Sequence, residues 1–275
     1  MSDELGMLQA DTADEGPALS PLYREQVFAI IDAELRKVMR DPTEIFSRAV
    51  QPMLWLFVFG QVFGKLRDIP TGGVSYLAFM IPGILSQSIL FSAIFYGISA
   101  IWEKDMGIVH KLLVSPVPRS ALILGKAFSS GFRSLAQASL IYIATLFLGV
   151  GCNYDLFHIL GVMMVVMLGS AIFSTFSLII ASLVKSRERF MGIGQVLTMP
   201  LFFASNAIYP VEMMPDWLKV VARINPMTYM VHAMRTLMIR GGQSVEGLGT
   251  DCMIMVLIFV LLVLVAKRIY PNLVR

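Results

Sequence analysis

Charge is scarce in this sequence. Asp, Glu, Lys and Arg make up 15% of 275 residues, against about a quarter in a soluble globular domain. Cysteine is nearly absent, and two residues, Cys152 and Cys252, exclude a disulfide-stapled scaffold. Both fall at the ends of apolar segments, where free, packed thiols are expected. The three histidines, His110, His158 and His232, are scattered without ligand spacing, so no metal site is expected. No nucleotide-binding loop is found. The nearest match, Gly60 to Leu66, has too few residues between its glycines and neither Ser nor Thr after Lys65, so the chain is not expected to hydrolyse ATP itself. No cofactor is implied. A basic-then-apolar leader is also missing: residues 1–20 are acidic, through Asp3, Glu4, Asp11, Asp14 and Glu15. Residues 1–21 are expected to form a disordered cytoplasmic tail.

Apolar sequence is what the chain has instead. Hydrophobic residues make up 56%, with a mean hydropathy of +0.72, and these values define an integral membrane protein. A spanning helix needs about 20 mostly apolar residues. Windows free of charge run over 49–64, 69–102, 134–154, 156–184, 190–211 and 252–266. The short first and last windows borrow flanking residues, because Arg48 and Lys267 can snorkel to the headgroups. The expectation is an all-α integral membrane protein with six spans, a single domain over 22–275. With an internal N-terminus, the inner segments hold five, five, three and three Lys or Arg, 16 in all. The outer ones hold two, none and four, six of the 22 in total, so both termini are expected inside. The net charge of +3 comes from these flanks and points to no nucleic acid.

Three segments are neither span nor plain loop. Residues 22–42 read as an interfacial amphipathic helix, with Val27, Ile31, Leu35 and Val38 on one face and Asp32, Arg36 and Arg40 on the other. The alternative, a solvated helix on a soluble domain, lacks a domain to pack on. Residues 209–242 read as two short helices: Pro215 opens the first, Asn225 caps the second, and Pro226 takes its first position. Two readings stay open, a re-entrant pair closing an outer mouth and a pair lying on the surface. Residues 102–119 interrupt the apolar sequence with a helix-compatible stretch, Glu103 to Val114, stopped by Ser115-Pro-Val-Pro. Docking onto a partner and an ordinary basic loop are both open. The helix that follows, from near Ser120 to Val150, would be roughly 45 Å long and outrun a ~30 Å hydrocarbon core. Lys126 and Arg133 should therefore project to the headgroups.

Carboxylates are missing from the middle of every window, with Asp155 at an outer turn, which argues against an ion-coupled carrier. Scattered His, Asp and Glu argue likewise against a membrane transferase. In the second span Ser86, Ser88, Phe91, Ser92, Phe95 and Tyr96 are candidate lining for a substrate pathway. Stacked aromatics would suit sugars, and an aliphatic wall would suit lipids and drugs. The 19 Met residues fit adaptable packing or contact with lipid.

The chain resembles the membrane subunit of ABC exporters of the second permease type, similar to bacterial drug-resistance and lipo-oligosaccharide or polysaccharide export permeases. The resemblance rests on Ile81-Pro-Gly83, then Glu103, Gly107, Lys111-Leu-Leu-Val-Ser-Pro-Val-Pro-Arg119 and Gly125-Lys126. Tyr209-Pro, Met214-Pro and Asn225-Pro-Met-Thr-Tyr229 follow in order. It implies a bacterial inner-membrane protein that pairs with a second permease copy and two copies of a separate ATPase. A coupling helix would lie between the second and third spans. Glu103, Gly107, Leu112, Ser115, Pro116 and Arg119 would belong to that coupling loop, with Arg187 and Glu188 as a second contact. The outer helices, with Tyr209, Pro210, Pro215, Asn225, Pro226 and Tyr229, would form the external gate. The cargo implied is an amphiphilic drug, lipid or lipid-linked compound, with lipo-oligosaccharide or polysaccharide as the alternative.

Overall fold

The computed structural model describes residues 21–40, 43–59, 62, 75–114, 117–184, 186–240 and 247–270. Residues 1–20 of the expected acidic tail, most of the Gly60–Leu66 stretch, Ser115 and Pro116 lie outside them. The described residues are almost entirely helical, and their only β feature is an isolated bridge between Cys152 and Ile239. In chain order the helices are α1 (Pro21–Arg40), α2 (Thr43–Leu54, running into a π turn at Trp55–Phe59), α3 (Tyr76–Asp105), α4 (Ile108–Val114) and α5 (Arg119–Phe147). Then come α6 (Leu156–Leu183), α7 (Arg187–Phe203), α8 (Asp216–Ile224), α9 (Pro226–Met238) and α10 (Leu248–Ile269).

Three of these, α3, α6 and α10, are long and apolar enough to cross a membrane. The other windows map onto the second half of α5, onto α7 and onto α2. At the centre α6 packs against α3 and α5, with α10 and α9 on its remaining sides. Close approach depends on small side chains. A Cβ on Gly97 of α3 would overlap the Ser177 hydroxyl of α6 and the Phe190 ring of α7. Ser130 and Ser134 of α5 hydrogen-bond Ser170 of α6 at 3.0 and 2.9 Å. Such seams hold helices together where lipid removes the hydrophobic drive between them.

The chain alternates between two ends of the bundle. One gathers α4, the start of α5, the α6–α7 turn and the end of α10 around a core that includes Ile101, Val109, Leu122, Phe190 and Tyr270. The other gathers the start of α3, the α5–α6 turn and the α8–α9 pair, where Asn153 N donates to Met238 O at 2.7 Å. Both cysteines are free, Cys152 buried and Cys252 half-buried.

Candidate functional site

The interrupting loop is built differently from its sequence pattern. Helix periodicity predicts one stretch from Glu103 to Val114, but α3 runs on through Glu103 to Asp105 and stops. Met106 N bonds Trp102 O and Gly107 N bonds Lys104 O at 2.8 Å, and Gly107 takes φ +71, a conformation that glycine adopts without steric cost. The short α4 hangs from that break. Val109 is fully buried beneath it, whereas Met106 and Ile108 are exposed. Leu112 is half-buried against the same core, and Arg119 opens α5. The second expected contact lies next door. Arg187 donates to Asp105 at 2.6 Å, and its guanidinium lies 3.7 Å from the centre of the Trp102 ring. Ser186 caps α7 by accepting from Arg189 N. Exposed Glu188 has its carboxyl held below the usual range by its own backbone N–H and then the Ser186 hydroxyl.

Glu103 faces inward, into a cluster that the sequence reading missed. Its carboxylate accepts from Lys126 at 2.5 Å and from Lys37 at 2.9 Å. Glu34 accepts from Lys37 at 2.9 Å and lies 3.8 Å from Lys126 and 3.5 Å from Arg133. Two carboxylates and three cations thus join α1, α3 and α5. Lys126 and Arg133 turn from the first half of α5 into this cluster, Lys126 buried and Arg133 largely so. Mutual pairing is what permits this, because a buried charge persists only when it has a partner. For Glu103 burial works to raise the carboxyl, but Lys126 and then Lys37 outweigh it and hold it below the ordinary range. Burial works against Lys37, yet its bonds to Glu34 and Glu103 raise it. The available signal was Glu34 itself, a carboxylate set between Ile31 and Leu35 on the apolar stripe of α1.

Phe91 and Phe95, one turn apart on α3, line a cavity of about 480 Å³ shared with α2 and Gln137 of α5. Tyr96 does not join them. The helix carries it about 100° further round, where it is buried with its hydroxyl 3.3 Å from Ser129 Oγ and its ring 5.1 Å from the Arg133 guanidinium. It belongs to the ion cluster, not the cavity.

At the opposite end, α8 and α9 form the helix pair that the sequence predicts. Pro215 precedes α8. Asn225 closes α8 and caps α9, with Met227 N donating to its Oδ1 at 3.0 Å and Pro226 next in line. Its Nδ2 donates to Leu201 O and Ala204 O, at 2.7 and 3.0 Å, tying the pair to the end of α7. Tyr209 donates to Phe203 O and Tyr229 to Arg223 O, each at 2.5 Å, and Pro210 leads into a 3₁₀ turn at Val211–Met213. A second cavity, about 340 Å³, lies between that turn and both helices. Asp251, one residue before the last apolar window, is fully buried in α10, 3.8 Å from His232, and the sequence reading gave it no role.

Apolar helices alternating between two ends, a short helix suspended beyond one of them and a helix pair across the other describe a multi-pass membrane permease. The chain belongs to the ABC-2 type transporter family, whose model matches residues 25–239. It is 29% identical over 217 residues to the putative transport permease ycf38 of Cyanophora paradoxa, covering 78% of this chain and 74% of that one. It is 23% identical over 197 residues, 72% and 69% of the two chains, to the daunorubicin resistance ABC transporter permease protein DrrB1 of Streptomyces coeruleorubidus. Over 217 residues, 78% of this chain and 83% of the other, it is 24% identical to the inner membrane transport permease YadH of Escherichia coli. It is therefore the transmembrane component of an ABC transporter, a family that works with an ATP-binding subunit.

Proposed function

We propose that this chain is the permease subunit of an ATP-driven exporter that moves an amphiphilic compound outward across the bacterial inner membrane. It does so as two permease copies with two copies of a separate ATPase. Six spans are read from the six charge-free windows, and the 16-to-6 distribution of Lys and Arg supports both termini inside. In that frame α1 lies along the inner interface, α4 is the coupling helix, and α8 and α9 re-enter from outside as the gate.

The observation that carries the reading is α4 itself. It hangs from a positive-φ glycine and is anchored inward by Val109, and Met106 and Ile108 are left exposed beside Lys104 and Lys111. Exposed apolar side chains among charges at the rim of a bundle suit a protein partner. Force applied to α4 has two firm supports. Asp105 is braced by Arg187, and Glu103 is fastened through the ion cluster to α1 and α5. Glu103 is on this reading a positioning residue, while Gly107, Leu112, Arg119, Arg187 and Glu188 surround the contact. Ser115 and Pro116 complete the loop.

Site-directed cross-linking tests this. An Ile108→Cys chain co-expressed with its ATP-binding subunit is expected to cross-link to that subunit, and the pair in vesicles to export substrate on addition of ATP. Failure of the two proteins to co-purify, or an Ile108→Cys chain that cross-links nothing while export proceeds, overturns the assignment of α4.

A further inference from the structure

Helix α8 has two unlike stripes side by side. At about 100° per residue, Lys219 and Arg223 share one, and Trp217, Val220, Val221 and Ile224 share the next. All four apolar side chains are exposed. An exposed apolar stripe with a tryptophan, bordered by cations, marks a helix lying at the level of lipid headgroups. The cationic stripe lines the cavity of about 340 Å³ between α8, α9 and the Val211–Met213 turn, within the ~300–1,000 Å³ usual for ligand pockets.

That cavity carries both signs of charge. Glu212 reaches it from the turn, Lys219 and Arg223 from α8, and Thr228, Tyr229 and His232 from α9. Opposite charges on one small wall would be expected to pair. Glu212 and Arg223 do not, and neither forms an ion pair among the described residues. Lys219 pairs with Asp216 at 3.0 Å, but that carboxylate is 99% exposed, and such a rim pair contributes little. Behind them Thr228 is 4% exposed, and its hydroxyl has no hydrogen-bond partner among the described residues. A threonine inside a helix can return that hydrogen to the carbonyl four residues back. Thr228 lies in the first turn of α9, and the residue four back, Ile224, ends α8. Buried hydroxyls are satisfied as a rule, so this one calls for an acceptor from the cavity.

These groups select a ligand. A simple anion would answer Lys219 and Arg223 but meet Glu212, and a simple cation would do the reverse. A head with a phosphate at one end and a primary ammonium at the other answers both. The phosphate oxygens accept from the two cations and the Thr228 hydroxyl, and the ammonium donates to the Glu212 carboxylate. The neighbouring apolar stripe supplies a path for acyl chains.

We propose that this cavity holds the phosphoethanolamine head of a resident phospholipid, its chains lying along Trp217, Val220, Val221 and Ile224. The lipid is a wedge and not cargo. Its contacts lie on the turn, α8 and α9, at one end of the bundle, and it ties the turn to the helix pair. Only the choice of the outer leaflet rests on the topology proposed above.

The test is native mass spectrometry of the full chain, delipidated by detergent exchange. The chain is then given equal amounts of dioleoyl phosphatidylethanolamine, phosphatidylcholine and phosphatidylglycerol in mixed micelles. One phosphatidylethanolamine per chain is expected to stay bound, about tenfold enriched over either competitor, and to raise the thermal midpoint. The choline head has no N–H for Glu212, and the glycerol head has no positive charge. E212Q is expected to cut retention of phosphatidylethanolamine about tenfold without lowering that of phosphatidylglycerol, and R223Q to weaken both. Both residues are exposed, so the lipid-free midpoints of these variants should match the wild type. Phosphatidylglycerol held as well as phosphatidylethanolamine, or a wild-type preference in E212Q, overturns the proposal. Displacement of the lipid by equimolar glycerophosphoethanolamine overturns it in favour of a soluble zwitterion. Binding needs neither the ATPase nor a sealed membrane. Inverted topology in cells therefore sinks the exporter frame and leaves the lipid site standing, whereas lost selectivity sinks the site alone.

Discussion

Lys126 is 2% exposed and surrounded by Glu103, Glu34 and two tyrosines. A lysine that deep survives as an ion only through its partners, and removing one partner of a buried pair typically costs about 3–5 kcal/mol. Glu103→Ala should therefore lower the thermal midpoint of the purified protein sharply, and the double variant with Lys126→Met should recover part of the loss. The pH response has a definite sign. A depressed carboxyl such as that of Glu103 contributes stability that is present above its unfolded-state pKa of about 4.3. That stability is lost as pH falls through the lower folded-state value. The raised Lys37 contributes stability that is full below about 10.4 and lost as pH rises through its higher folded value. A midpoint that is flat through neutral pH and falls at both extremes is expected, with a smaller acid fall in Glu103→Gln. An identical acid profile in that variant would remove Glu103 from the account. The cluster itself was not legible in the sequence, because pairing of Glu103 across 66 and 23 positions leaves no local pattern.

Elements with local causes were legible, and those with tertiary causes were not. The α8–α9 pair could be read directly, since a proline before one helix and Asn-Pro before the other act within their own turn. The end of α3 could not. Its periodicity continues past Asp105, and only the backbone reversal at Gly107, +71° in φ, separates it from α4. An L residue there meets roughly 1–2 kcal/mol of strain, although open space surrounds the position. Gly107→Trp is expected to insert and fold, with a modest loss of stability, while ATP-driven export falls at least tenfold. Export at the wild-type rate in vesicles would show that the angle between α3 and α4 is immaterial. The cavity is legible only in part. Phe91, Phe95, Ser88 and Ser92 are conspicuous on α3, but Arg48, Gln51 and Gln137 arrive from α2 and α5, and Tyr96 looked equivalent until the helix turned it away.

At the scale of the whole molecule, the charge distribution and the bundle make one shared claim, that α4 and the α8–α9 pair lie on opposite sides of the membrane. Single cysteines at Lys111 and Trp217, in a chain with Cys152 and Cys252 replaced by Ser, are the direct check. An impermeant maleimide applied outside intact cells should label the Trp217→Cys chain and spare the Lys111→Cys chain. The reverse pattern would invert the topology.

Composition alone fixed the solvent of this protein, since a chain with so few charges and such long apolar windows can bury its surface only in lipid. The spacing of prolines, caps and basic residues fixed where helices start, and it supports the side on which each connection falls. The tertiary structure decided what those helices do with their few polar groups. It turned Glu103 from a loop charge, and Lys126 from a helix-flank charge, into a buried fastening and brought Gln51, Gln87 and Gln137 to one cavity. The reason is physical: in a low-dielectric interior a polar side chain must find its partner wherever the fold brings one, and sequence distance does not constrain that search.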